Sequence, residues 1–360
     1  MRKINSLYVH IPFCEHICSY CDFCKMFYNE KICDKYLNVL IDELENLKID
    51  TLKTIFIGGG SPSSLNIRQL ELLLSTLSKY LANGYEFSIE VNPENITEEK
   101  IKLFKKYGIN RVSMGVQSFD DHVLSFLNRK HNFDDVKKCV DLLIKYGLVN
   151  YSFDFIYGIK DQSIDSISND IDLAISLNPK HLSFYSLILE ENTMLFINKY
   201  EEEDEDIVRN QYDLIYSKLK ENGFNRYEIS NFSIKGYECK HNLVYWNNEE
   251  YYALGVGASS YIDGIRYTTS KNITNYLKGI INKEKFDVEK DKEYIMLRLR
   301  LEEGINLLEY KSIFNKDFLL EYSSIINKYI GNGLLEIKDN FVKTTYEGMM
   351  LLNSILVEFM

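Results

Sequence analysis

The chain has 360 residues, of which 45% are hydrophobic, and its 42 basic and 53 acidic residues give a net charge of -11. This length is ample for a large core, in one extended domain or in one large and one small domain. The acidic balance disfavours a general nucleic-acid-binding protein, which usually carries a basic excess. No apolar run is long enough to span a membrane.

Cysteine content and the first residues bear on the compartment. Seven cysteines, an odd number, fit a reducing compartment better than a disulfide framework. Residues 1–6 lead almost directly into a predicted strand, so we expect no signal peptide. Both features predict a cytoplasmic protein.

A cluster of cysteines follows the first predicted strand. Residues 7–11 are mostly apolar and lead into a loop with Cys14, Cys18 and Cys21, spaced C-x3-C-x2-C. Three thiolates this close together can hold three irons of a cubane iron–sulfur cluster and leave the fourth iron open to a small molecule. The spacing differs from the cysteine pairs of structural zinc sites and from the runs of bacterial ferredoxins. A zinc knot or three unrelated thiols are the alternative interpretations.

The chain then alternates between predicted helices and strands as far as residue 222. A helix is predicted through Ile32 to Leu47, a buried strand at 54–57, and a second helix through Leu70 to Leu81. Further strands are predicted at 86–91, 110–116, 150–157 and 180–187, and further helices at 97–107, 133–146, 164–176 and 206–222. Six strand–helix units in sequence predict a parallel β/α architecture, as a partial barrel or as an open sheet.

Glycines and polar residues collect at the carboxyl ends of these strands, the edge that carries the active site in β/α barrels. The glycines at 58–60 allow a ligand close to the backbone. Glu90 and Asp154 can accept hydrogen bonds from ribose hydroxyls or an ammonium group, and Gln117 can both donate and accept. Arg129 can pair with a carboxylate through its fork. Taken singly, each has a plainer alternative: a tight turn, a solvated strand end or a surface charge.

These segments together resemble the oxygen-independent coproporphyrinogen III oxidase family of radical S-adenosylmethionine (SAM) proteins. The similar segments are YVHIPFC at 8–14, GGGSP at 58–62, SIEVNPE at 88–94, SMGVQSF at 113–119, LNRKH at 127–131 and DFIYG at 154–158. The resemblance implies a partial (β/α)6 radical SAM barrel in which Cys14, Cys18 and Cys21 bind a [4Fe-4S] cluster. It also implies SAM contacts at Tyr8, Tyr20, Gly59, Gly60, Ser61, Glu90, Gln117, Arg129 and Asp154. Ser61 stands where a threonine is common, and it keeps the hydroxyl.

Three features favour the haem-binding relatives in this family over its true oxidases. The oxidases carry a further cysteine two residues after the third ligand, whereas Asp22 and Phe23 follow Cys21 here and the next thiol is Cys24. The oxidases also have a sizeable N-terminal extension before the cluster strand, whereas Tyr8 stands near the start of this sequence. Residues 241–246, HNLVYW, resemble the H-N-x-x-Y-W motif of the haem chaperone branch.

This motif makes His241 the predicted haem ligand, since neutral imidazole is a common ligand of haem iron. Tyr245 and Trp246 would supply flat apolar surface beside the porphyrin. A histidine packed within a core turn is the alternative interpretation of His241. Cys239 is an alternative thiolate ligand but reads more simply as a small apolar residue, and Cys24 either assists cluster assembly or packs.

The same resemblance and the element pattern divide the chain into three parts. These are a radical SAM core at 1–235, a connecting segment at 236–285 that carries the HNLVYW motif, and a C-terminal domain at 286–360. Helical patterns and a hairpin around residues 338–340 predict that this last, smaller α+β domain is winged-helix-like. No basic recognition helix stands out in it, so no nucleic-acid binding is predicted.

The leading predicted function is haem binding and delivery to haem-accepting proteins, with a [4Fe-4S] cluster and SAM as cofactors. A flavodoxin- or ferredoxin-type reductant is a further expected partner. The alternative is an enzyme, coproporphyrinogen III dehydrogenase, in which a reduced cluster donates an electron to SAM and the resulting radical starts a decarboxylation. Whether the protein is an enzyme therefore stays open at the level of sequence.

Overall fold

A nine-stranded sheet forms the centre of the structure, a computed structural model that describes residues 4–360. Residues 1–3, the start of the N-terminal segment discussed above, lie outside the described residues. In spatial order the strands are Tyr252–Leu254, Ser6–Ile11, Leu52–Gly59, Leu81–Val91, Arg111–Gln117, Tyr151–Tyr157, His181–Ser186, Asn231–Ser233 and Asn225–Arg226. The first seven strands of this order are parallel. Asn231–Ser233 runs antiparallel to both of its neighbours, His181–Ser186 and Asn225–Arg226.

Helices follow the parallel strands, which confirms the predicted strand–helix alternation. They are Glu30–Asn46, Ile67–Leu77, Glu98–Tyr107, Asp121–Phe126, Phe133–Lys145, Ile164–Ser176, Met194–Ile197 and Glu205–Glu221. The second helix is shorter than predicted: it ends at Leu77, and after one 3-10 turn Leu81 begins a strand and pairs with Leu52. The sequence pattern misled here because Leu81 continues the spacing of the leucines in the helix.

The strands carry apolar residues on the face toward the helices and polar residues on the face toward the barrel interior. Along Tyr151–Tyr157, Phe153 and Phe155 belong to the main hydrophobic core, whereas Ser152 and Asp154 line an interior cavity of about 260 Å³. Burying each such phenylalanine contributes about 1.5–3 kcal/mol. Six neighbouring strands contribute side chains to this cavity: Tyr8, Phe56, Glu90, Ser113, Asp154 and His181. The sheet therefore curves around the cavity as a partial barrel.

The connecting segment packs on the edge of the barrel. It contains the helices Lys240–Trp246 and Ile273–Tyr276 and an antiparallel sheet of Ser259–Ile262, Ile265–Thr269 and Lys283–Phe286. Its strand Tyr252–Leu254 pairs with the cysteine-loop strand Ser6–Ile11. The segment that carries the HNLVYW motif is thereby fixed to the first strand of the barrel.

The C-terminal part has its own hydrophobic core. It comprises the helices Lys290–Arg298, Leu307–Phe314, Phe318–Glu321, Ser323–Gly331, Tyr346–Met350 and Leu352–Phe359, and the strands Ile305–Asn306, Leu335–Lys338 and Phe341–Thr344. The predicted hairpin is confirmed, and its turn residues Asp339 and Asn340 both have positive φ, as a tight primed turn requires. Among residues 4–360, no helix has both the length and the apolarity needed to cross a membrane.

Candidate functional site

A cavity of about 430 Å³ opens at the carboxyl ends of the parallel strands, a volume typical of small-molecule sites. Its lining brings together the three clustered cysteines and most of the predicted SAM-contacting residues: Tyr20, Gly59, Gly60, Ser61, Glu90, Gln117, Arg129 and Asp154. Tyr8 differs, because it lines the neighbouring cavity inside the barrel and its hydroxyl lies 3.0 Å from His10 Nδ1. We call the larger space the upper cavity and the 260 Å³ space the barrel cavity.

The cysteine loop is held on two sides by backbone hydrogen bonds. At its base, the amides of Met26 and Tyr28 donate to the carbonyls of Pro12 and Cys14 at 2.7 and 2.8 Å. At its outer side, Ser19 N–H donates to the Leu127 carbonyl, and the Ser19 carbonyl accepts from Leu195 N–H. The three thiols therefore occupy positions fixed by neighbouring elements.

The thiol arrangement suits a body larger than one ion. Within the described part of the chain, no three His, Cys, Asp or Glu side chains converge closely enough to hold a single metal ion. Cys14, Cys18 and Cys21 are free thiols that line one cavity, and this donor set fits the cysteine ligation of a cubane cluster.

Each glycine of the run at 58–60 allows a different close approach. A Cβ added at Gly58 would lie 2.8 Å from the Glu90 carboxyl group, and one at Gly60 would lie 2.9 Å from Cys14 Sγ. Gly59 has φ +114, and its Cβ would lie 2.5 Å from the His10 ring. A tight turn accounts only for the glycine at Gly59, which has positive φ. At the other two positions, glycine is needed because a side chain would collide with neighbouring groups.

Arg129 carries a cationic donor that has no partner in the protein. Only 8% of this residue is exposed, and its Nη2 donates to Asn92 Oδ1 at 3.0 Å and to the Gly115 carbonyl at 2.6 Å. Nη1 lies 3.6 Å from Cys18 Sγ, whereas Nε is buried without a hydrogen-bond acceptor. A buried guanidinium with a spare donor beside a cavity is suited to an incoming carboxylate.

Gln117 adopts a strained backbone conformation at the end of its strand. Its φ of +66 is rare for a residue other than glycine and costs about 1–3 kcal/mol. Asp170 holds the next residues, because its carboxylate accepts from Ser118 Oγ and Phe119 N–H, both at 2.7 Å. The sequence interpretation missed Asp170, although an acid on the buried stripe of Ile167 and Ile171 was a usable signal.

Two buried carboxyl groups, those of Glu90 and Asp154, line both the upper cavity and the barrel cavity. Burial, together with the nearby Asp154, raises the pKa of Glu90 to about 8, against the hydrogen bond from Gly59 N–H. Burial also raises the pKa of Asp154, whose oxygens accept from Ser113 Oγ and Ser183 Oγ at 2.9 and 2.7 Å. Neither serine was predicted from the sequence.

The Glu90 carboxyl group makes the stability of the cofactor-free protein dependent on pH. Its pKa is about 8 when folded and ordinarily 4.5, so between these values the folded state binds more protons than the unfolded state. The contribution of Glu90 to stability is therefore fully present below about pH 4.5 and is lost as the pH rises to about 8. We expect Glu90→Gln to weaken this dependence and to raise the melting temperature above pH 8. Thermal unfolding from pH 5 to 9 measures it, and parallel curves for the two proteins would contradict it.

The HNLVYW motif forms the short helix Lys240–Trp246, and a buried carboxylate binds the first backbone N–H groups of this helix. Glu86 accepts from the backbone N–H groups of Lys240 and His241 at 3.1 and 3.0 Å. The His241 side chain is fully buried; Nδ1 lies 2.8 Å from Thr54 Oγ1, Nε2 lies 2.7 Å from the Tyr245 hydroxyl, and the ring stacks on Phe56. Burial lowers the pKa of His241 to about 3, so the imidazole is neutral. Haem ligation by His241 stays a prediction, and it requires one of these bonds to open.

The two remaining predicted thiols lie apart from the upper cavity. Cys239 is buried at the start of the HNLVYW helix, with Sγ 3.7 Å from Glu86 Oε1. Cys24 is half-buried beside Gly257, and its carbonyl accepts from His10 Nε2 at 2.8 Å. Because that carbonyl can only accept, His10 carries its proton on Nε2, and Nδ1 accepts from the Tyr8 hydroxyl.

Comparison with known proteins gives matches along nearly the whole chain. The Radical SAM superfamily model matches residues 8–174, and the HemN C-terminal domain model matches residues 289–351. Proteins named heme chaperone HemW from Lactococcus lactis and Bacillus subtilis are 36% and 35% identical, over 100% and 99% of this chain and 98% and 99% of their own lengths. The solved structure of the radical SAM enzyme coproporphyrinogen III oxidase (HemN) from Escherichia coli superposes with a TM-score of 0.87. It is 20% identical and covers 99% of this chain and 90% of its own, which confirms the fold.

Proposed function

Because the chain belongs to the HemW family of radical SAM proteins, we propose that it binds haem and delivers it to haem-requiring acceptor proteins. The observation that carries this proposal is the 36% identity to a protein named heme chaperone HemW, over 100% of this chain and 98% of the relative. The HNLVYW helix and the C-terminal part both lie within that match.

We propose that Cys14, Cys18 and Cys21 hold a [4Fe-4S] cluster and that SAM occupies the upper cavity, with Arg129 on its carboxylate. When bound, the cluster supplies one-electron chemistry. The protein's own part is positioning. The glycines at 58–60 admit the ligand close to the backbone, and Glu90 and Asp154 offer oxygens to hydroxyl or ammonium groups. A cytoplasmic location and a flavodoxin- or ferredoxin-type reductant complete the proposal.

Two assays on anaerobically reconstituted protein test this function against the dehydrogenase alternative. The first is a spectrophotometric haem titration. The second supplies coproporphyrinogen III, SAM and a reductant, and measures decarboxylated product. We expect stoichiometric haem binding without catalytic product. Product over many turnovers would establish the dehydrogenase instead, and failure to bind haem would overturn the chaperone proposal.

A further inference from the structure

Most of the histidine side chains are too buried for haem iron to reach. The chain has six, all within the described residues, and four of them are at most 4% exposed: His10, His131, His181 and His241. Both ring nitrogens of His10 and of His241 have hydrogen-bond partners. His131 Nε2 contacts the Val116 carbonyl, and its Nδ1 has no hydrogen-bond partner but is buried 3.6 Å from Glu94 Oε2.

His181 has one unpartnered ring nitrogen, Nδ1, but it is reached only from the barrel cavity. That cavity, at about 260 Å³, is smaller than the roughly 300–1,000 Å³ typical of sites for drug-sized ligands. A tetrapyrrole is larger than most such ligands, so it does not fit there without opening the barrel.

Two histidines are exposed, and one of them stands at the site. His16 lies in the cysteine loop and lines the upper cavity, whereas His122 lies in the helix Asp121–Phe126, outside that lining. Of the six histidines, only His16 combines an accessible ring with a position at the proposed cofactor site. Neutral imidazole donates a lone pair to haem iron without any other group having to move.

The rim around His16 presents exposed apolar and aromatic side chains. Phe23, Tyr185 and Ile188 all line the upper cavity, and they are 62%, 41% and 65% exposed. Large apolar side chains grouped around a cavity mouth mark a binding surface for an apolar partner. Lys25 also lines the cavity; its ammonium donates to the Cys21 carbonyl and has further N–H donors that can pair with a carboxylate.

We infer that haem docks across this rim, which we call the haem rim and define by His16, Phe23, Lys25, Tyr185 and Ile188. The His16 imidazole binds the iron, Phe23 and Ile188 contact the flat porphyrin, and Lys25 pairs with a propionate. In this arrangement the HNLVYW helix supports the barrel wall, and His241 keeps its bonds to Thr54 and Tyr245. The inference rests on the proposed function, since it places the haem that the function requires.

The test is a haem titration of reconstituted His16→Ala, with His122→Ala as the matched exposed histidine and His241→Ala as the competing ligand. We expect His16→Ala to bind haem at least about tenfold more weakly, because even outer partners of metal ligands change affinity by about 10–100-fold. Its haem Soret band should also shift, and added imidazole should restore the wild-type band. His122→Ala should bind as the wild type does.

The outcomes separate the inference from the proposed function. No haem binding by the wild type would overturn the function. Haem binding by the wild type together with unchanged affinity and spectrum in His16→Ala would overturn the haem rim alone. So would loss of haem binding in a His241→Ala protein whose melting temperature and iron content match the wild type.

A second pair of variants covers the case in which His16→Ala fails to assemble the cluster, as iron content would show. Phe23→Ala should weaken haem binding roughly tenfold through lost apolar contact. Leu320→Ala, which removes a 77% exposed side chain in the C-terminal part, should leave the affinity unchanged. Equal haem affinity in Phe23→Ala and the wild type would overturn the haem rim in that case.

Discussion

Replacing Cys18 with alanine is expected to abolish assembly of the iron–sulfur cluster. The three thiols line one cavity and belong to a loop fixed at its base and at its outer side, so we expect no other cysteine to take the place of Cys18. Cys24 is the nearest further thiol in the sequence, but it lies outside the cavity lining and packs beside Gly257. Without Cys18 the cluster would have two thiolate ligands, half of the four that such clusters ordinarily have.

Iron and acid-labile sulfide per chain, measured after anaerobic reconstitution, report the result for Cys18→Ala. We expect a wild type with about four irons, as the cluster formula requires, and a variant with little bound iron. Cys139→Ala is the matched control, since Cys139 is a buried cysteine in the helix Phe133–Lys145 and belongs to the main core. It should retain the wild-type iron content. Full cluster occupancy in Cys18→Ala would show that the three cysteines are not the ligand set.

The barrel could be predicted from the sequence because its signals are local. Each strand and helix carries its own hydrophobic period, and the carboxyl ends of parallel strands meet at one edge wherever such a sheet forms. The sequence therefore predicts that the cysteine loop, the glycine run, Glu90 and Asp154 lie together. The structure brings the three cysteines, Gly59, Gly60, Glu90 and Asp154 to one cavity.

The partners of these residues could not be predicted, because they depend on register and on contacts distant in the sequence. Ser113 and Ser183 bond Asp154 only because Gly115 and Ser183 are its neighbours on the flanking strands, and nothing in those serines distinguishes them from other strand serines. Tyr8 shows the same limit. Its position matched the family, but whether its hydroxyl meets a ligand or His10 is decided by side-chain packing.

His241 shows what a motif leaves open. The HNLVYW motif shows which residue types are present, but it does not show whether the imidazole is accessible. An accessible imidazole is a reasonable haem ligand. Accessibility is a property of the fold: Glu86 and Thr54, which lie 155 and 187 residues away in the sequence, bond the backbone and ring of His241 and place it in the barrel wall. That placement leaves His16, which no motif singled out, as the accessible imidazole at the upper cavity.

Replacing Arg129 with methionine is expected to weaken SAM binding about a hundredfold. The buried Nε has no acceptor in the protein, and a carboxylate placed there would make a charge-assisted hydrogen bond with it. Such bonds contribute about 1.5–3 kcal/mol each, and roughly 3 kcal/mol corresponds to about a hundredfold in affinity. Arg129→Lys keeps the charge but loses the planar fork, so its SAM affinity should lie between those of the wild type and Arg129→Met.

Arg129→Met also removes the donors bonded to Asn92 and to the Gly115 carbonyl, so a loss of SAM binding could reflect a disturbed cavity. A ligand without the carboxylate separates these causes. 5′-Methylthioadenosine keeps the adenosine and the sulfur but lacks the amino-acid end, so its contacts do not include the proposed partner of Arg129. Isothermal titration should show SAM affinity falling about a hundredfold in Arg129→Met while methylthioadenosine affinity changes less than about twofold. Equal losses for both ligands would mean that Arg129 shapes the cavity, and the carboxylate would then have to bind elsewhere.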